Sequence, residues 1–391
     1  MTTTPAARGG DRRRVVLLGA TGSIGRQCCD VIERFPDRFQ LVGAAAGTNA
    51  AGLAAVAERF GVQRTAILAP PSRDPLPEGM TAGEAAVCEV AGMESDVVCV
   101  AIPGAAALAP TLAALDAGRS VATATKEVLV MAGELVKARA AAGGARIIPV
   151  DSEHSALWQC LRGERAESVR RLVLTASGGP FRQREPATFA SITIDEALRH
   201  PTWTMGPKVT IDSATMMNKG LEIIEAHFLF DVPYAAIEVV IHPRSIVHSF
   251  VEFIDGAVIA QLGVPDMRVP IALALADGER LPGIAPPVQL TEASPLEFFG
   301  VDSVRFPAVA LARSAGETGG VAPAALNAAN EVAVAAFLAG RIGYDTIVPI
   351  VAETVGAAAV VASPSLADVL ETDAWARRFA GARLGTVGSP A

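Results

Sequence analysis

Apolar residues fall in short blocks along the first third of the chain: Arg14 to Leu18, Phe39 to Ala46, Thr65 to Ala69, Asp96 to Ile102, Ser120 to Thr125 and Arg146 to Val150. Helical stretches such as Cys28 to Arg34 separate them. This alternation predicts a parallel, doubly wound sheet, each strand being returned to the same edge through a helix. Beyond Asp151 the pattern changes. Arg170 to Ala176 reads as a strand and Leu221 to Phe230 as an amphipathic helix with Leu221, Ile224 and Phe228 on one side. Ile237 to His242, Ser245 to Ile254 and Ala257 to Gly263 read as an antiparallel meander turned at Asp255-Gly256. Asp277 to Val304 is proline-rich and irregular, and Ala322 to Leu338, Thr346 to Val355 and Ala374 to Phe379 predict a terminal helical bundle.

Composition narrows this picture. At 391 residues, half of them apolar, the chain exceeds one ordinary core and predicts two or three domains. A net charge of −8 excludes nonspecific nucleic-acid binding, which needs a basic footprint, but leaves room for a local cationic pocket. The five cysteines are odd in number, lack metal-ligand spacing and sit mostly in apolar runs, as expected of buried thiols in a reducing, cytoplasmic compartment. The first dozen residues lack the apolar middle of a secretory signal and predict a frayed tail. The uncharged run Val97 to Leu115 has the length of a membrane span, but Pro103, Gly104 and Pro110 divide it, so no membrane segment is expected.

Candidate chemistry clusters at the ends of the apolar blocks. Leu18 runs into Gly19-Ala20-Thr21-Gly22-Ser23-Ile24-Gly25 and then a helix, the context of a Rossmann-like dinucleotide turn, although the glycine spacing is GxxGxxG. The turn after the second strand, Gly47-Thr48-Asn49, carries no carboxylate to repel a 2′-phosphate, which favours NADP, and no cation to attract one. Lys126-Glu127 follows the fifth strand and Asp151-Ser152-Glu153 the sixth. Two carboxylates two residues apart would share one side of an extended strand and could hold a hard cation. Taken alone, the same residues are more readily explained as capping the helix that follows, since Asp, Ser and Glu are favoured at helix starts.

Ser177-Gly178-Gly179-Pro180 is either an anion nest or an ordinary turn. The segment His200-Pro201-Thr202-Trp203-Thr204-Met205-Gly206-Pro207 cannot be a regular helix; it suggests a lid, with Trp203 alternatively a core anchor. Ser213, Asn218 and Lys219 offer the hydroxyl, amide and ammonium donors that a phosphate monoester needs. Glu222, in the first turn of its helix, is a third candidate ligand or a helix-dipole charge, with Glu225 its rival. His242 and His248 read as packed, and Asn327, Asn330 and Glu331 as satisfying helix ends or a domain contact.

Taken together, GATGSIG, ATKE, PVDSEHSA, SGGPF, RHPTWTMG, IDSATMMNKGLEIIEA, IHPRSIVHS, AQLGVPDMR and ALNAANE resemble the 1-deoxy-D-xylulose 5-phosphate reductoisomerase family, in the family's order and over nearly the whole chain. The resemblance implies an α/β homodimer with an NADPH domain (1–150), a central α+β catalytic and dimerisation domain (151–276, flap 198–208), a linker (277–304) and a C-terminal helical domain (305–391). It implies that Asp151, Glu153 and Glu222 bind Mg²⁺ or Mn²⁺. Ser177, Ser213, Asn218 and Lys219 would hold the phosphate of a phosphosugar, and His200 would line the same pocket. Ser152 and Lys126 would meet its oxygens, and Trp203 and Met205 would close over it. Thr21, Gly22, Ser23, Ile24, Gly47, Asn49, Thr125, Glu127 and Gly206 would line the cofactor's path. The implied reaction is a metal-dependent retro-aldol and aldol rearrangement followed by hydride transfer from NADPH, with Lys126, Glu153 and Lys219 as candidate proton shuttles. Two positions depart from the family: Thr125 stands where Asn is usual, and Thr48 where Lys or Arg is usual.

Overall fold

The structure is a computed structural model that describes residues 12–70, 76–203 and 205–384. The expected N-terminal tail, and Thr204 of the expected flap, lie outside the described residues.

The first unit runs β1 (Arg13–Leu18), α1 (Ser23–Arg34), β2 (Phe39–Ala46), α2 (Ala50–Phe60), β3 (Arg64–Ile67), β4 (Met80–Ala82), α3 (Glu84–Ala91), β5 (Val97–Val100), α4 (Leu108–Asp116), β6 (Ser120–Thr123), α5 (Glu127–Gly143) and β7 (Ile147–Pro149). All seven strands are parallel, in the order β4-β3-β2-β1-β5-β6-β7. Their residues are apolar on both faces because helices cover both. The order reverses between β1 and β5, the place where open sheets of this kind bind ligands. There Gly19 adopts φ +93°, and a Cβ on it would lie 2.3 Å from the Ala101 carbonyl oxygen, so only glycine lets the turn pass beside β5.

The second unit runs α6 (Ser152–Cys160), β8 (Val169–Ala176), α7 (Ile194–Ala197), α8 (Pro207–Thr215), α9 (Met217–Phe230), β9 (Ile237–Ile241), β10 (Val247–Phe253), β11 (Val258–Leu262) and α10 (Arg268–Leu275). The hairpin of β10 and β11 forms as expected, but the expected meander does not: β9 pairs in parallel with β8, which separates it from β10. The physical reason is the helical crossover of α7 to α9, which returns the chain to the same edge and makes β8 and β9 parallel. Met216, at φ +61°, breaks the polar cluster into two helices, so α9 begins at Met217 and Glu222 sits beyond its first turn. α10 packs back onto α1, and Arg268 bridges Asp266 and Asp30 of α1 at 2.6 and 3.0 Å.

The segment expected as a plain linker carries α11 (Leu290–Ala293) and β12 (Phe299–Gly300), and the latter extends the mixed sheet beside β9. The sheet order is β11-β10-β8-β9-β12. Then come α12 (Pro307–Thr318), α13 (Ala322–Leu338), α14 (Ile347–Ala357) and α15 (Leu366–Arg383). α12 was not among the expected helices. It lies against α9, where a Cβ on Gly220 would fall 2.5 Å from that of Ala312. α8, α9 and α12 to α14 share one apolar core. Among the described residues no helix is long and apolar enough to cross a membrane, and all five cysteines are free, four of them buried.

Candidate active site

The chain folds back over the carboxyl edge of the parallel sheet and encloses a cavity of about 650 Å³. Ala124 and Lys126 reach it from the end of β6, Asp151 to Glu153 from the end of β7, and Thr175 to Gly178 from the end of β8. His200, Trp203, Met205 and Gly206 cover it from the loop before α8, while Ser213, Asn218 and Lys219 line it from α8 and α9. Ser23 and Ile24 enter from the start of α1. Trp203 is half-buried and leans on the ring of His248 at 6.1 Å rather than anchoring a core.

Asp151 and Glu153 do not sit on a strand. Asp151 occupies the position before the first turn of α6 and Glu153 lies in that turn, as a capping role requires. Yet the Asp151 side chain makes no capping hydrogen bond; its Oδ2 points at Lys126 Nζ, 2.5 Å away. Glu222, wholly buried, completes the group, and ligand oxygens of Asp151, Glu153 and Glu222 lie within 4.8 Å of one another. Asp151, His154 and Glu225 form a second such triplet. His154 and Glu225 are wholly buried, with His154 Nε2 spent on the Glu222 carbonyl and Nδ1 facing Glu225 at 3.3 Å. The two triplets share Asp151, and Glu225 lies on the His154 side of it.

Two buried ammoniums are threaded through the carboxylates. Lys126 Nζ lies 3.0 Å from Glu222 Oε1 and donates to Asn218 Oδ1 at 2.9 Å. Lys219 Nζ reaches Glu153 Oε1 at 2.8 Å and Glu222 Oε2 at 2.5 Å, and the Asn218 amide donates to Glu222. Asn218 and Lys219, expected to face a phosphate, are thus turned to the carboxylates, as burial in a weakly screening interior favours. Burial opposes the charge on Lys126, but Asp151, Glu222 and Glu225 raise its pKa well above the ordinary value. Its ammonium is held charged as a hydrogen-bond donor among these groups. Burial and then the Glu153 charge push Glu222 up to about 7, against the pull of both lysines.

His200 has a defined tautomer. Its Nδ1 accepts from the backbone N–H of Trp203 at 2.9 Å and of Thr202 at 3.2 Å, so the ring proton resides on Nε2, which donates to Ser177 Oγ at 3.0 Å. Ser177 Oγ also accepts from Gly179 N at 3.1 Å. With both acceptor positions filled, the Ser177 hydroxyl hydrogen remains for a ligand in the cavity. Burial lowers the His200 pKa to about 4, although Glu153 pulls the other way, so the ring is neutral near pH 7.

Other expected cofactor residues lie apart from this cavity. Thr21 and Gly22 form the glycine turn, and the Thr21 carbonyl accepts from Arg26. Gly47 and Asn49 are exposed beyond β2, where Asn49 Oδ1 caps α2 through Gly52 N at 2.9 Å. Thr125 is buried and donates its hydroxyl to the Ile102 carbonyl at 2.7 Å, so its side chain faces the sheet rather than the cavity. Glu127 is buried too, and its carboxylate pairs with Lys208 at 2.6 Å. Conversely, Arg26, Asp30 and Pro265 to Arg268 line the cavity although sequence reasoning gave them no role. The motif AQLGVPDMR was the available signal, but only the packing of α10 on α1 brings it to the site.

A dinucleotide-type parallel sheet whose carboxyl edge carries an acidic triplet, two lysines and a hydroxyl-lined pocket defines a nucleotide-dependent enzyme of small phosphorylated substrates. Family models agree in detail. Residues 15–133 match the model for 1-deoxy-D-xylulose 5-phosphate reductoisomerase, 147–230 that for the enzyme's C-terminal domain, and 262–379 a further DXP reductoisomerase C-terminal domain. The 1-deoxy-D-xylulose 5-phosphate reductoisomerase of Leifsonia xyli subsp. xyli is 52% identical over 95% of this chain and 99% of its own, and that of Thermodesulfovibrio yellowstonii 45% identical over 95% and 100%. The Zymomonas mobilis enzyme in complex with NADPH superposes with a TM-score of 0.89 at 43% identity, covering 96% of this chain and 99% of that one. A DOX-P reductoisomerase in complex with NADPH, fosmidomycin and magnesium gives 0.90 at 37% identity, covering 97% and 100%. The chain belongs to the 1-deoxy-D-xylulose 5-phosphate reductoisomerase family.

Proposed function

We infer that the protein rearranges 1-deoxy-D-xylulose 5-phosphate and reduces the product with NADPH to 2-C-methyl-D-erythritol 4-phosphate, a step of isoprenoid precursor biosynthesis. The observation that carries this reading is the convergence of three carboxylates and a hydroxyl-lined anion pocket in one cavity at the edge of a dinucleotide-type sheet. Asp151, Glu153 and Glu222 suit Mg²⁺ or Mn²⁺: all donors are oxygens, and two neighbouring ammoniums offset part of their charge. Such a cation, when bound, polarises a ketone and an adjacent hydroxyl and stabilises the negative charge that develops when a carbon–carbon bond breaks.

The chain's own residues do the rest. With the carboxylates neutralised, Lys219 and Asn218 are released to donate to phosphate oxygens beside Ser177 and Ser213. His200 holds the Ser177 hydroxyl toward the same group, and Ser152 and Lys126 donate to the substrate's oxygens. Trp203 and Met205 exclude water from the reacting atoms. Thr21, Gly22, Ser23 and Ile24 take the cofactor diphosphate at the start of α1, Gly47 and Asn49 its ribose end, and Gly206 borders its nicotinamide. The apolar side chains exposed on the edge strand β11, Val258, Ile259 and Leu262, suit pairing with a second copy, and a mass measurement in solution tests that dimer. The deciding experiment follows NADPH absorbance with 1-deoxy-D-xylulose 5-phosphate, with and without Mg²⁺ or Mn²⁺. Metal-dependent loss supports the reading, and no loss removes it.

A further inference from the structure

We propose that Lys208 is a positioning residue that registers the lid against the peptide that carries Lys126. Its ammonium lies between Glu127 Oε1 of α5, at 2.6 Å, and Asp212 Oδ2 of α8, at 2.8 Å. The other oxygen of Asp212 accepts from Asn330 Nδ2 of α13 at 2.7 Å. Asp212, Asn330 and Glu127 are buried, and only Lys208 is partly exposed. This inference rests on the reading of the cavity as an active site.

The network stands out by where its members fall in the chain. Glu127 follows Lys126, Asp212 precedes Ser213, and Lys208 comes two residues after Gly206; all three neighbours line the cavity. One cation therefore ties the peptide that carries Lys126, the helix that carries Ser213 and the root of the loop that carries Trp203. Asn330 fixes the knot to the terminal bundle, which accounts for one of the two fully buried amides of α13. Burial penalises charge on Lys208, but Asp212 and Glu127 outweigh it and raise its pKa, so the ammonium at the centre of the clasp stays charged. The same geometry gives the buried Glu127 carboxylate a partner in Lys208.

The test uses the full-length enzyme and the variants Glu127→Gln, Lys208→Met and Glu127→Gln/Lys208→Met. The double variant is included because Lys208→Met alone leaves two buried carboxylates without their cation. A displacement of about 1 Å at a reacting group costs on the order of a hundredfold in rate. For Glu127→Gln the expected result is a roughly ten- to hundredfold fall in kcat, an NADPH dissociation constant within about twofold of the parent, and faster amide exchange confined to 198–210. The double variant should lose no more than Lys208→Met. Unchanged exchange over 198–210 overturns the proposal, as does an NADPH affinity loss with unchanged kcat at saturation. A parent enzyme that does not turn over, with exchange still raised in Glu127→Gln, removes the functional reading and leaves the clasp standing.

Discussion

Replacing His200 separates the lid's anchor from the phosphate contact, because the two ring nitrogens do different work. Nδ1 holds two backbone N–H groups of the loop, and Nε2–H holds Ser177 Oγ. Each such bond contributes about 1 kcal/mol net. His200→Ala removes all three, roughly 3 kcal/mol; water at this partly exposed loop recovers part of it, leaving about 1.5–3 kcal/mol. At about 1.4 kcal/mol per factor of ten, kcat/KM for the phosphosugar should fall roughly ten- to hundredfold, mostly through KM, since the contacts serve binding and closure more than bond breaking. Steady-state NADPH oxidation measures it. His200→Asn, whose carbonyl oxygen stands near the place of Nδ1, should keep the lid anchored and lose only the Ser177 contact. His200→Gln, whose amide nitrogen stands near Nε2, should do the reverse. A His200→Ala enzyme with kcat/KM within twofold of the parent would refute the argument, and equal losses in Asn and Gln variants of full alanine size would refute the division of labour.

Asp151→Asn or Glu153→Gln should lower metal-dependent turnover by more than about a hundredfold while leaving the melting temperature and NADPH binding near the parent's; calorimetric titration with Mn²⁺ and nucleotide checks both. Exhaustive chelation should abolish turnover and Mg²⁺ or Mn²⁺ restore it, and full activity in the chelated enzyme would contradict the cation's role. NADPH should be preferred over NADH, but narrowly, because the exposed turn at Thr48 offers no cation to a 2′-phosphate; the ratio of kcat/KM values measures this, and equal values sink it. The His200 pKa of about 4 lies below its ordinary 6.5, so the unfolded chain binds the extra proton first. The stability linked to the neutral ring is complete above about pH 6.5 and lost as pH falls toward 4. After allowance for partial exposure it amounts to about 2 kcal/mol, and a melting curve for His200→Gln should fall less steeply than the parent's between those pH values.

Six of the seven strands of the first sheet could be read from the chain because they are apolar on both faces, whereas the edge strand β4, three residues of which only Met80 is buried, carries no such block and was missed. The mixed sheet could not be read the same way. Apolar alternation marks β8, β9 and β10 as strands but says nothing about which one stands between the other two. Only the crossover rule, applied to the helices between β8 and β9, would have replaced the meander with a parallel pair. α12 escaped notice because its stretch, Pro307 to Thr318, is built largely of small residues, whose role is to let α12 approach Gly220 closely rather than to form an apolar stripe.

The acidic site shows a second kind of limit. Capping and ligation looked like competing explanations of Asp151 and Glu153 because both use the same residue types. In the fold they are successive: the start of α6 supplies the backbone position, and the Asp151 side chain, excused from capping, turns to Lys126. What holds it there lies far along the chain, since Lys126, Asp151 and Glu222 come from the ends of β6 and β7 and from α9. Residue types could nominate each of these groups, but not the two ammoniums lying among three carboxylates. That arrangement has a functional sense. A buried acidic triplet without counter-ions would drive its own protonation; burial does raise the carboxyl pKa values, but Lys126 and Lys219 outweigh it and hold Asp151 and Glu153 below the usual range. On the proposed reading, a divalent cation held by these carboxylates would leave the two lysines to meet the anionic substrate, which would couple readiness for the phosphosugar to occupation of the carboxylates.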